Sequence, residues 1–311
     1  MKKWTSLLII FAVLPVFSET FRLNIKKGDH FITDVSVKQI IIRDVNGQQT
    51  QVETETTLTF SFEVLNADKA TYTLNMCYLH IGLTTRGVGW QYKYDSDPSV
   101  ETDTPGSKKM NTFYQNLVGQ CVTLTLDRKK GTVKAMAGWN KITRRLANGL
   151  EQGTRQERLR VAKMLVSSIK TGMTNGGPDS FFLPIVGKKI DVGNQWQVRN
   201  TLPIFSGLTI QRAYHVVEVQ PDKVKITTTS SLTTSPTATP LVTNETKIQY
   251  SLNGTQKGAF SVNRKSGWIT ELSANYELEG TLKMIDMGFS IPVRLSGEIT
   301  ITSRRVRATI K

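Results

Sequence analysis

Histidine and cysteine are both scarce in this 311-residue chain, with three of the first and two of the second. His30, His80 and His215 stand far apart, in no HExxH or other paired spacing, so zinc has no support here. No Gly-x-Ser-x-Gly elbow, Walker loop or Rossmann fingerprint occurs, which removes the usual sequence signs of acyl transfer and nucleotide binding. The expectation is a protein that is not an enzyme and carries no cofactor and no metal. Asp95, Asp97, Glu101 and Asp103 form an acidic loop, but it lacks the turn Gly and closing Glu of an EF-hand and reads as solvated. Two cysteines do not make a disulfide framework. In an oxidising compartment Cys77 and Cys121 invite one bridge, and the alternative is two small buried apolar residues.

Long apolar runs are also missing. The exception is the start, MKKWTSLLIIFAVLPVFS, where Lys2 and Lys3 precede the short apolar stretch Leu7 to Val16. Val16 and Ser18 supply small residues at the positions a signal peptidase inspects. The stretch is too short to span a bilayer, and no later run reaches the roughly 18 apolar residues a spanning helix needs. Cleavage is expected after about Ser18, with export to the periplasm or the extracellular space. Because no Cys lies near the cut, a lipid anchor is not expected.

Acids are outnumbered, 25 Asp and Glu against 40 Lys and Arg, for a formal charge of +15. Removing Lys2 and Lys3 leaves +13. The excess is concentrated between Arg128 and Lys170, where twelve basic residues face only Glu151 and Glu157. Arg144, Arg145, Arg155, Arg158, Arg160 and Lys163 are the candidate polyanion patch. In an exported protein such a patch points to an anionic membrane surface or a cell-envelope polymer, with no nucleic acid partner. A solvated helix face that keeps the protein soluble is the plainer alternative.

Strand signals fill most of the chain. Phe21 to Ile25 alternates with period two, Thr33 to Arg43 is β-branched, and Asn46-Gly47 is a hairpin turn signal. Thr54 to Val64 returns, and Ala70 to Leu83 places Tyr72, Leu74, Met76 and Tyr78 on one face. Residues 95 to 109 are polar and read as a loop. The middle differs: Lys141 to Leu150 and Gln156 to Lys170 lack alternation, and Thr154 to Glu157 fits a capping box. Leu159, Ala162, Val166 and Ile169 then share a helical face, better suited to packing on a sheet than to lying on a membrane. Strands resume over Lys188 to Val198, Leu208 to Val219, Lys223 to Leu232, Lys247 to Leu252, Ala259 to Asn263, Trp268 to Glu277 and Ile291 to Arg307.

The chain repeats itself. LTLDRKKGTVKAM at 124–136 and FSVNRKSGWITEL at 260–272 align without a gap, an offset of 136. In each, Asp127 or Asn263 opens a turn through its side chain, and Gly131 or Gly267 leaves it at positive φ. Lys27 to Phe31 matches Val192 to Trp196 at offset 165, and Glu63-Val64 matches Glu218-Val219 at 155. A falling offset in constant order is what loop deletions in a second copy produce. Gly149, in the helical stretch between the copies, reads as free to be replaced.

The order of these motifs resembles a family of exported bacterial β-rich proteins of uncharacterised function, many of them lipoproteins. The likeness is carried by the Gly-Asp-x-aromatic start and by Tyr94-Asp95-Ser96. Leu117-Val118-Gly119, Leu124 to Asp127 and Gly131-Thr132-Val133 continue it. Leu183-Pro184, Val192 to Trp196 and Gly258 to Val262 before Gly267-Trp268-Ile269 complete it. It departs from the family in lacking the anchor Cys and in the Arg-rich helix. The resemblance implies compartment and architecture, and no catalytic residues.

The expected fold is mainly β (α+β), with two related antiparallel β units, curled sheets or half-barrels, joined by a helical segment. After a signal at 1–18, the first unit is 19–140, the helical linker 141–175, and the second unit 176–311. Two sheets, each curled over helices, would offer a concave apolar face to a lipid or other apolar ligand. The alternative is a structural or adhesive envelope protein that contacts polyanions through the basic segment.

Overall fold

The computed structural model describes residues 19–45, 47–102, 108–150, 154–174, 185–202, 207–235, 240–243 and 246–306. The expected signal, 1–18, lies outside them, as does Leu183-Pro184. Along the chain come β1 (His30–Val45), β2 (Gln48–Ala67), β3 (Thr71–Gly87), β4 (Trp90–Asp95), α1 (Lys108–Gln115), β5 (Cys121–Asp127) and β6 (Val133–Ala137). Two helices follow, α2 (Trp139–Gly149) and α3 (Arg155–Thr174). Then come β7 (Gln195–Leu202), β8 (Leu208–Val219), β9 (Lys223–Thr234), β10 (Leu241–Thr243), β11 (Thr246–Asn263), β12 (Ile269–Met284) and β13 (Phe289–Val306).

All thirteen strands among the described residues belong to one antiparallel sheet, in the order β6-β5-β3-β2-β1-β13-β12-β11-β9-β8-β7, with β4 on β3 and β10 on β11. The expectation of two separate sheets is therefore corrected. The two units are fused through β13, which pairs with β1 on one side and β12 on the other. The sheet is open, with β6 and β7 at the ends of the order. A sheet this wide cannot stay flat, because each strand is rotated against its neighbour by about 20° and the rotations accumulate into a curl. Glycines permit the tightest approach. A Cβ at Gly254 would fall 1.9 Å from the Glu277 carbonyl oxygen, and one at Gly280 would fall 1.8 Å from that of Ser251.

The repeat is written into the backbone. In both copies the turn glycine donates to the opening residue, Gly131 N to Asp127 O and Gly267 N to Asn263 O, each at 2.8 Å. The φ angles are +67° and +71°. Leu124 faces Met136 and Phe260 faces Leu272, and both hairpins shift register one step later, at Thr125/Leu126 and Ser261/Val262. The entry loops agree too: Gly28 N bonds Val64 O at 2.8 Å, and Gly193 N bonds Val216 O at 2.9 Å. That bond corrects one part of the sequence alignment, since Val64 corresponds to Val216 and not Val219. Alternating strands match almost as well when slid, and only the bulge pins the register.

The helices cover the first unit. Trp139, Ile142, Leu146 and Ala147 of α2 and Ala162 and Val166 of α3 join the same cluster as Phe31, Phe62, Leu74, Met76 and Leu124. The capping box forms as expected, with Glu157 Oε2 accepting from Thr154 N at 2.6 Å. The α3 stripe packs on the sheet, apart from Ile169, whose side chain lies outside the described residues. Among the described residues no helix packs into the second unit's cluster around Trp196, Tyr214, Ile226 and Phe260.

Candidate functional site: the inner face of the sheet and a basic cleft

Strand pairing aligns Arg212, Ser230, Gln256, Tyr276, Gly297, Gln39, Thr54 and Thr85 in one transverse row. This row divides the inner face. On one side lie the two clusters just described. On the other is a third, made of Leu208, Ile210, Leu232, Leu252, Leu278, Val293 and Leu295, with Ile41 beside it. Buried apolar packing, each member of the cluster 8% exposed or less, thus continues past the helices across six strands.

The row holds a buried cation. Arg212 is only 6% exposed, and it donates to Ser230 Oγ at 3.1 Å, Gln256 Oε1 at 3.0 Å and Tyr214 Oη at 3.5 Å. All three partners are neutral. Burial pushes the Tyr214 phenol up, and the neighbouring Arg212 pulls it the other way. The first copy has Phe60 and Tyr78 at the matching positions, with ring centroids 5.0 Å apart. One copy therefore fills this level with aromatic rings, and the other with a guanidinium held by an amide and hydroxyls.

The predicted polyanion residues are divided between α2 and α3. Arg144, Arg145, Arg155, Arg160 and Lys163 are exposed on α2 and α3. Arg158 is not available in the same way: its Nη1 donates to Leu150 O at 3.0 Å, tying α3 to the end of α2. Arg145 Nε donates to Asn116 Oδ1 at 3.3 Å. Gly149 is not free either, because a Cβ there would sit 2.2 Å from Asn116 Nδ2.

A second concentration of cations was not expected from sequence. A cleft of about 1250 Å³ opens between the two copies of the turn, floored by the extended segment Glu19–Asn24. Arg22, Lys69, Arg128, Lys129, Arg264 and Lys265 line it, and among the described lining residues Glu19 is the one acid. Arg128 donates to Asp68 O at 2.7 Å and lies over the Tyr72 ring, 4.9 Å from its centroid. Arg264 makes the equivalent bond to Gln220 O at 3.2 Å. Its Nε and Nη2 both bond Glu19 Oε2, the Nε at 2.9 Å.

Cys77 and Cys121 pair across β3 and β5 as a disulfide, which decides between the two sequence readings. Two acids of the acidic loop are already partnered: Asp95 Oδ1 meets His80 Nε2 at 2.7 Å, and Asp97 accepts from Ser99. Asp103 lies outside the described residues, and among those described no group of three metal-ligating side chains occurs.

Residues 69–269, about two thirds of the chain, match a family model. The chain belongs to a family of unknown function, DUF6263. No curated protein matches it. Among solved structures, one titled for lipid–protein interactions in lipovitellin aligns with 92% of this chain at TM-score 0.54 and 12% identity. The aligned part is 26% of that chain, so this DUF6263 protein spans about a quarter of the lipovitellin chain's length. The COG4313 outer membrane channel from Pseudomonas putida F1 aligns at 6% identity over 91% of this chain and 98% of that one. Its TM-score is 0.23, too low for the two backbones to describe one fold.

Proposed function

We propose that this DUF6263 protein is an exported, non-enzymatic envelope protein that binds a lipid-like or other apolar ligand against the inner face of its sheet. The observation that carries the reading is the third apolar cluster, Leu208 to Leu295, on an inner face that continues beyond the helices. The lipovitellin-like fold is consistent with it, because the solved relative of that shape is titled for its interactions with lipid. The disulfide supports export, since such bonds persist in oxidising compartments. Native mass spectrometry of the protein purified from its own envelope tests the reading. A bound apolar species that leaves on denaturation supports it; a bare polypeptide mass from every preparation overturns it. Amino-terminal sequencing of the same material tests export, with Glu19 expected near the start.

The exposed cations of α2 and α3 favour a second reading, in which this segment holds the protein to anionic envelope surfaces. Retention on phosphatidylglycerol vesicles at low salt, lost when Arg155, Arg160 and Lys163 are changed to Glu, is its signature. Arg158 is left intact in that variant because it ties the helices together.

A further inference from the structure

We infer that the cleft between the duplicated turns is a binding site for a linear polyanion, a chain whose anionic groups recur at regular spacing. The apolar-ligand reading does not bear on it, because the cleft lies at the turns and not on the third apolar cluster.

Three observations converge on this ligand. The same pair of cations appears twice, Arg128-Lys129 and Arg264-Lys265, once on each copy of the turn. Each arginine is set in place by a backbone carbonyl, so its planar fork is ordered before any ligand arrives. A repeated receptor suits a repeated ligand, because a second contact on the same chain is intramolecular and adds avidity without new chemistry.

Charge balance gives the second argument. The nearby carboxylates of Asp68 and Asp127 accept from their own turn amides, and although Asp68 also feels the charge of Arg128, Glu19 is the acid among the described residues that hydrogen-bonds a cleft arginine. One oxygen of Glu19, Oε2, accepts from two N–H groups of Arg264, so a charge-assisted pair already occupies that fork. Among the described residues Arg128 makes no such ion pair. Glu19 is thus an internal anion on one of two equivalent forks, and a polyanion must displace it to use both.

Size is the third. At about 1250 Å³ the cleft exceeds the usual range for a small-molecule pocket, about 300–1,000 Å³, and suits an extended chain better than one anion.

The test titrates the intact exported protein with inorganic polyphosphate, with orthophosphate, and with phosphatidylglycerol vesicles. Polyphosphate is expected to bind at least about 100-fold more tightly than orthophosphate at low salt. Lys129→Glu with Lys265→Glu alters exposed side chains and should weaken binding about tenfold or more with unchanged melting. Glu19→Gln should tighten it, by about threefold or more, by removing the competitor. Arg155→Glu with Arg160→Glu on α3 should leave it unchanged. Equal affinity for polyphosphate and orthophosphate overturns the inference, as does weaker binding by Glu19→Gln. Binding to vesicles but not to polyphosphate also overturns it, and assigns the cations to a membrane surface. Loss of binding in the α3 variant equal to that in the cleft variant does the same for the cleft.

Discussion

Arg212 Nη2 donates to Gln256 Oε1 across 3.0 Å, from one strand of the inner face to another, with no carboxylate paired to the guanidinium among the described residues. A buried charge with neutral partners is costly to keep, and an apolar side chain of similar reach removes that cost. Arg212→Met is expected to match or exceed the parent stability, by as much as about 2 kcal/mol. Gln256→Leu leaves the cation with one acceptor fewer and should lose about 1–3 kcal/mol. Urea midpoints of the two variants check both signs.

Gly131 and Gly267 hold equivalent positive-φ positions, yet their surroundings differ. A Cβ at Gly131 would meet the Val186 side chain at 2.4 Å, which can turn aside. At Gly267 it would meet the Arg22 carbonyl oxygen at 2.2 Å, which moves only with the cleft floor. Gly131→Val is expected to cost about 1–2 kcal/mol, the left-handed penalty, and Gly267→Val more than about 2 kcal/mol. Gly149→Val should also destabilise, by about 1 kcal/mol, through displacement of Asn116. Thermal unfolding of the three variants gives the order.

Acid separates the two turns. Asp127 is held below the usual carboxylate range by the Lys130 backbone amide first and by that of Lys129. A depressed carboxylate contributes stability that is present above its unfolded pKa, about 3.9, and is lost as pH falls through the lower folded value. Asn263 accepts from the Ser266 amide at 2.9 Å and does not titrate. Amide exchange or proteolysis below about pH 4 should therefore open the first turn before the second. Asp127→Asn should remove the difference, and equal opening of both turns in the parent contradicts the account.

The bridge between Cys77 and Cys121 closes a separation of 44 residues that contains β4 and α1. Replacing both cysteines with Ala is expected to lower unfolding stability by about 2–4 kcal/mol. Reductant should do the same to the parent and nothing further to the variant, as read from the urea midpoint.

Local chemistry was the legible part of this sequence. Side-chain caps, turn glycines and the capping box act over three or four residues, so Asp127, Asn263, Thr154 and Glu157 announce their elements directly. What eluded reading depends on distant partners. The pairing that fuses the units joins Val35 to Ile301, and no local pattern encodes it. The cleft gathers Arg22, Lys69, Arg128 and Arg264 from four places in the chain. Arg212 stood within a recognisable alternating strand, but its burial follows from the sheet and not from the strand. β4 and α1 flank a polar segment that read as loop throughout; α1 has only eight residues, too few for a clear helical period.

The place of β13 has a kinetic consequence. β1, among the first strands made, keeps one edge unpaired until Phe289–Val306 arrives to cover it. Contacts this distant in sequence close late, and an open edge is a template for pairing with other chains while it waits. Assembly of the sheet is thus governed by β13. A chain shortened by those eighteen residues would retain both copies of the repeat and lose what joins them.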